Sequence, residues 1–211
     1  MASALIHLCV AKEVNKTLRV KDEKNFMLGS IAPDISKIVN RLKAESHFAT
    51  LTNSDIPDIN LFLEKYKEEL NKEFMLGYLI HLLTDKLWYR KFINEIIDGN
   101  SLKLLDGTTL TNVSPEEIKK ILYEDYTNIN IDLIDLYNID LSIFYEKFPV
   151  QKVSITEIPM DDIQLLIDKM GVIIENSKKE NEYIFEINTI KAFITDATNY
   201  TLKKLMELNI I

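Results

Sequence analysis

Phe74-Met75-Leu76-Gly77-Tyr78-Leu79-Ile80-His81-Leu82-Leu83-Thr84-Asp85 is apolar on nearly every side of a helix except at His81 and Asp85. A segment of this kind belongs inside a protein. Its apolar part, Phe74–Leu83, falls far short of the ~20 residues that a membrane-spanning helix needs. Asn71 can cap the helix, which is expected to run from Lys72 to about Ile97, where Asp98-Gly99-Asn100 ends it. Four residues along a helix return to the same face, so His81 and Asp85 point together. An unpaired carboxylate in such surroundings is costly, and a divalent cation would offset that cost. Spacing alone leaves two readings open: a metal-binding pair, or a buried His–Asp hydrogen bond.

The rest of the chain reads as helix around this segment. Five Gly and five Pro in 211 residues offer little material for the turns of a β-sandwich or barrel, and i, i+3, i+4 apolar spacing recurs along the sequence. The expected fold class is all-α, a compact multi-helix bundle in a single domain over 1–211. A metal-site half covers 1–98, and an acidic and C-terminal half covers 114–211. Ser3 can cap a helix to about Val14, a second piece covers Lys24–Ile31, and Pro33 marks a boundary beside Asp34. Pro57 is expected to open a helix through about Leu70. Residues 101–113, with Asp106-Gly107, should form a loop or small hairpin. Ser114-Pro115-Glu116-Glu117 is a strong helix start. Further helices are expected over 115–126, 130–137 and 140–147, then an extended stretch from Val150 to Ile158, a helix after Pro159 and a last one over 187–208.

The net charge of -8 is localised. Segment 115–168 holds 12 acids against 4 bases, while the flanking segments balance. This reads as a solvated helix face, or as a cation-attracting rim beside a site. Duplex nucleic acid is not an expected partner, because no basic stripe with interleaved aromatics is present. The N-terminal residues do not read as a secretory signal, so cytoplasmic localisation is the expectation. The single cysteine, Cys9, excludes an internal disulfide and reads as a buried thiol between Leu8 and Val10.

Phosphate-loop, dinucleotide, Gly-x-Ser-x-Gly and His-Glu-x-x-His signatures are absent. His7, Asp34 and His47 are the other candidates, since imidazole nitrogen and carboxylate oxygen suit zinc and its neighbours nickel and iron. Taken singly, His7 reads as a core histidine, His47 as a loop residue and Asp34 as a turn carboxylate.

Three motifs in order change that reading: Phe26-Met27-Leu28-Gly29-Ser30-Ile31-Ala32-Pro33-Asp34, then Ser46-His47-Phe48, then the His81-x-x-x-Asp85 helix. Together they resemble the zinc-dependent phospholipase C family, a helical family structurally related to the fungal single-strand nucleases. The likeness covers about residues 1–95. It implies one ion held by Asp34, His47, His81 and Asp85, and a second held by His7 with a bridging Asp85. A hydroxide between them would be the nucleophile, and Asp34 would accept a proton. The family's third site uses two further histidines, and the sequence has no histidine beyond Asp85. Glu124, Asp125 and Asp132 are acids that could supply a further ligand to the second ion, which His7 and a shared Asp85 leave under-coordinated.

The implied function is metal-dependent hydrolysis of a phosphoester with one or two zinc ions, on a small phosphoester or a phospholipid. The rival is a non-catalytic helical module that the metal stabilises.

Overall fold

The computed structural model describes residues 2–50, 53–179, 182 and 184–211. Helix α1 (Ala4–Leu18) starts at Ser3, whose hydroxyl accepts from the Ile6 N–H. Helix α2 (Glu23–Gly29) leads into a 3-10 turn, Ala32–Lys37, with Pro33 in its first positions. After the short α3 (Lys43–Ser46) come strands β1 (Ala49–Thr50) and β2 (Asn53–Pro57), then α4 (Ile59–Tyr66) and the central α5 (Glu73–Leu87). Strands β3 (Ile97–Asp98), β4 (Ser101–Lys103) and β5 (Thr109–Leu110) follow, then α6 (Pro115–Tyr137), α7 (Ser142–Tyr145), α8 (Ile163–Glu175) and α9 (Ile187–Glu207).

The fold is predominantly helical rather than purely so. β1 and β2 form one small antiparallel pair, and β3-β4-β5 form a second small antiparallel sheet. The second occupies the segment expected to be a loop or hairpin. The first falls in a polar stretch with no period-2 pattern to announce it, so Pro57 closes a strand and Asp58 caps α4, accepting from the Asn60 N–H. The helix expected to reach Ile97 ends at Leu87 and passes into a π-turn, Trp88–Phe92. There Trp88 stacks on Phe92 at 4.3 Å and meets Phe193 edge-on at 4.8 Å. Packing of these large rings outweighs regular helical continuation.

Ser114 and Glu117 form the expected capping box, yet α6 runs unbroken to Tyr137 where two helices were expected. Thr127-Asn128-Ile129-Asn130 is poor in helix formers. Burial of Tyr126, Ile129, Asn130 and Leu133 along one stripe overrides that propensity. The helix expected over 140–147 shrinks to the single turn of α7. Val150–Ile158 is extended, and Gln151 ties it to α2 and α5 by bonds to Asn25 and the Phe74 N–H. Among the described residues, no helix is long and apolar enough to cross a membrane.

Helix α5 packs against α1, α2, α4 and α9, and nearly all of its residues are buried. Its approach to α2 is close enough at two glycines to leave no room for a side chain. A Cβ on Gly29 would lie 2.0 Å from the Phe74 carbonyl oxygen, and one on Gly77 would lie 2.1 Å from that of Phe26. The paired Phe-Met-Leu-Gly motifs are therefore the two sides of one backbone contact. Cys9 is fully buried in α1, and burial pushes its thiol pKa up, so it is inert packing.

Candidate metal centre

The α2–α5 contact fixes the site. With the backbones this close, the Ser30 carbonyl at the end of α2 reaches His81 Nδ1 at 2.8 Å. A carbonyl only accepts, so Nδ1 carries the ring proton and Nε2 is left with a bare lone pair. His47 is oriented in the same way, with Nδ1 3.1 Å from the Lys43 carbonyl and 2.9 Å from Ser46 Oγ. Its Nε2 lies 3.2 Å from that of His81. Two lone pairs facing each other in a buried site repel unless a cation stands between them.

His47 follows α3 and precedes Phe48, whose φ of +52° is an uncommon backbone state for a bulky residue. The Phe48 ring packs edge-on against Phe62 at 5.2 Å and Tyr78 at 6.2 Å, which anchors the bend. Tyr78 Oη also donates to the Ser46 carbonyl. The left-handed turn thus directs His47 inward from a segment that would otherwise be surface loop.

Both carboxylates meet these rings. His47 Nε2 is 3.5 Å from Asp34 Oδ1 and 3.6 Å from Asp85 Oδ2, and His81 Nε2 is 4.0 and 3.8 Å from the same atoms. Zinc–ligand bonds of about 2.0–2.1 Å imply about 3.3–3.4 Å between ligand atoms in a tetrahedron. Five of the six separations among Asp34, His47, His81 and Asp85 span 3.2 to 4.0 Å and bracket that length.

His7, from α1, lies on the other side, its ring stacked on His81 at 3.7 Å and its Nε2 3.4 Å from Asp85 Oδ1. That oxygen also accepts from the Ala2 N–H at 3.0 Å, which ties the start of the described chain to the centre. Two ligand triads result, His7/His81/Asp85 and Asp34/His47/His81, with His81 common to both. All five sequence candidates are therefore brought together.

Their chemistry fits a cation. His7 Nδ1 and Nε2, Asp34 Oδ1 and Asp85 Oδ2 are buried and make no hydrogen bond of regular geometry. Burial opposes ionisation of Asp34, but the Lys37 ammonium, with Nζ 3.1 Å from Oδ1, holds its pKa well below the usual range. Asp85 is likewise held ionised against burial, chiefly by the contact of its Oδ1 with His7 Nε2 at 3.4 Å. Burial lowers the pKa of His47, and burial with His7 beside it lowers that of His81, so both rings stay neutral. Neutral imidazoles and ionised carboxylates are the forms that bind metal.

The acidic segment supplies no ligand. The Asp125 carboxylate is buried and accepts from the Ile184 and Phe185 N–H groups at 2.9 and 2.7 Å, fastening that loop to α6. Asp132 pairs with Lys179, and Glu124 lies 3.8 Å from Lys120 near the surface. Lys37 has a signal that could have found it, three residues after Asp34 on one helical turn. The Ser30 and Lys43 carbonyls and the Ala2 N–H carry none, because any residue type supplies them.

Acidification should weaken the metal-free fold. Unfolded histidines take up protons below about 6.5, while His47 and His81 in the folded protein resist, so falling pH favours the unfolded state. Asp34 and Asp85 add to the loss below their usual 3.8. Calorimetry of chelator-treated protein should give a melting temperature level above pH ~6.5 and falling steadily towards pH ~4. A melting temperature that rises on acidification would mean that the folded cluster takes up protons more readily than the unfolded chain.

A cleft of about 930 Å³ opens beside the centre, lined by the 3-10 turn, α6 and α8, and among the five residues it reaches only Asp34. His7, His47, His81 and Asp85 are at most 1% exposed. No family model, curated protein or solved structure matches the chain.

Proposed function

We propose that this protein is a metal-dependent hydrolase of phosphoesters, with a centre like that of the zinc-dependent phospholipase C family. The observation that carries the reading is the facing pair of bare Nε2 lone pairs on His47 and His81, flanked by two ionised, under-bonded carboxylates. Asp34, His47, His81 and Asp85 would hold one ion, and His7 with the other oxygen of Asp85 would contribute to a second. Zinc suits this set, and nickel or iron are substitutes. A bound divalent ion supplies Lewis acidity towards a phosphoryl oxygen and lowers the pKa of water.

The remaining work falls to the chain's own groups. The Nδ1–H bonds to Ser30 and Lys43 hold both imidazoles in the ligand tautomer. Asp34 stands where cleft and centre meet, so it is the group placed to orient an incoming water and pass its proton outward. Its depressed pKa makes it a better ligand and orienting acceptor than a strong base. Lys37 offers positive charge to a phosphoryl group at the same point. Water's oxygen bonds to phosphorus, the ester P–O bond breaks, and the proton leaves with the alcohol. The near-complete burial of the other four residues favours the rival reading, a metal-stabilised module without activity. The cleft at Asp34 favours the enzyme.

Elemental analysis after purification without chelator should find roughly one to two equivalents of zinc, nickel or iron per chain, and chelation should lower the melting temperature. Hydrolysis of a chromogenic phosphoester should vanish on chelation and return with metal. Failure to take up any divalent transition metal on titration would remove the reading. Metal without turnover would leave the module.

A further inference from the structure

The cleft beside Asp34 is unequal along its length, and its inequality specifies a substrate. Its level against the centre is set by Lys37, whose Nζ is 3.1 Å from Asp34 Oδ1 and 5.9 Å from the Tyr123 ring centre on α6. One turn before Tyr123, about 6 Å along the helix, stands Lys119. Lys169 of α8 also lines the cleft. Among the described residues neither lysine has a carboxylate partner, whereas Lys37 is taken by Asp34 and Lys120 by Glu124. Glu116 and Glu124 are the glutamates of the lining, and Glu124 lies against Lys120.

About two turns after Tyr123, roughly 10 Å in the other direction, is Asn130. It is 2% exposed, donates from Nδ2 to Ser177 Oγ at 2.9 Å, and leaves Oδ1 buried without a partner. A buried acceptor of this kind in a cleft lining is costly unless a ligand supplies the donor. Helix α8 also contributes the apolar side chains Leu166, Met170 and Ile173 to the lining.

We infer that this is the substrate cleft and that it selects a small soluble phosphomonoester whose apolar body carries a hydrogen-bond donor. The phosphoryl group lies at Asp34 with its charge towards Lys119 and Lys169, the body follows α8, and the donor meets Asn130 Oδ1. The inference rests on the hydrolase reading. A diester would carry one charge fewer than the two unpaired lysines can match. The volume is of the size that takes a small ligand, roughly 300–1,000 Å³, rather than a polymer.

The test is calorimetric binding to the metal-loaded full chain at mildly alkaline pH, using phenylphosphonate, its singly charged methyl ester and 4-hydroxyphenylphosphonate. Phenylphosphonate should bind about tenfold more tightly than the methyl ester, and the exposed double change Lys119→Ala/Lys169→Ala should abolish that preference. The hydroxylated probe should bind about fivefold more tightly than phenylphosphonate, an advantage that Asn130→Leu removes while leaving charge selection intact. Circular dichroism establishes that each variant is folded. Equal binding of the two charge states, or a preference unchanged in the double variant, would overturn the assignment. Turnover of p-nitrophenyl phosphate is followed in parallel. Turnover without the binding pattern would overturn the cleft assignment alone, and the binding pattern without turnover would overturn the hydrolase reading.

Discussion

Gly77→Ala is expected to lower the melting temperature by more than about 10 °C, from one added methyl group. Alanine is normally the better helix residue by about 1 kcal/mol, so the local effect has the opposite sign. At Gly77, however, the new Cβ would lie 2.1 Å from the Phe26 carbonyl oxygen and 2.9 Å from the Ser30 nitrogen. Both are backbone atoms, and no rotamer change relieves them. Overpacking of a side-chain core typically costs about 1–3 kcal/mol, and prising two helix backbones apart belongs above that range. At about 2–4 °C per kcal/mol for a domain of this size, a cost of about 5 kcal/mol gives a shift of 10 °C or more. The displaced atoms adjoin the Ser30 carbonyl that holds His81, so metal content should fall with stability. Gly171→Ala is the control. Its Cβ would make ordinary contact at 3.5 Å with Tyr145 Cε1, so it should be neutral or slightly stabilising. A Gly77→Ala protein melting within about 2 °C of wild type would refute the close approach.

What was legible in the sequence divides by range. His81 and Asp85 could be read as a pair because a single helix sets their geometry, and the apolar residues around them announced their burial. The Phe-Met-Leu-Gly sequence at 26–29 recurs at 74–77, and in both copies the glycine sits at the α2–α5 contact. His7, Asp34 and His47 carried no such local signal. Each reads alone as core or loop, and only the ordered motif joined them to the helix. The structure places all five in one cluster, with Ser30, Lys43 and Ala2 adding backbone groups that no side-chain pattern encodes. Asp125 shows the reverse case, an acid of the right type whose lone pairs are consumed by the Ile184 and Phe185 amides. The cleft was illegible for a related reason. Lys119, Asn130 and Lys169 meet Asp34 across most of the chain, and nothing in the spacing of lysines on a polar helix face separates a ligand wall from a solvated one.

Replacing His81 by alanine should empty the centre, whereas replacing His7 should not. His81 belongs to both triads, one with His7 and Asp85 and one with Asp34 and His47, and its one free lone pair, on Nε2, serves the first ion. Its removal leaves three ligands on the first ion and strips the second of the ring that also stacks on His7 at 3.7 Å. Metal content should fall to about a tenth of an equivalent or less, and turnover with it. His7 touches only the second triad, through its 3.4 Å approach to Asp85 Oδ1. In His7→Ala, Asp34, His47, His81 and Asp85 still surround one position, so about one equivalent should remain on a folded chain. Turnover should nonetheless drop by roughly two orders of magnitude or more if two ions share the stabilisation of the transferring phosphoryl group. Metal content and activity would then separate, which loss of fold alone cannot produce. The measurement is elemental analysis beside chromogenic turnover, with circular dichroism on both variants. If His7→Ala changes neither quantity, His7 is a core histidine and the chemistry runs on the single ion held by the other four residues.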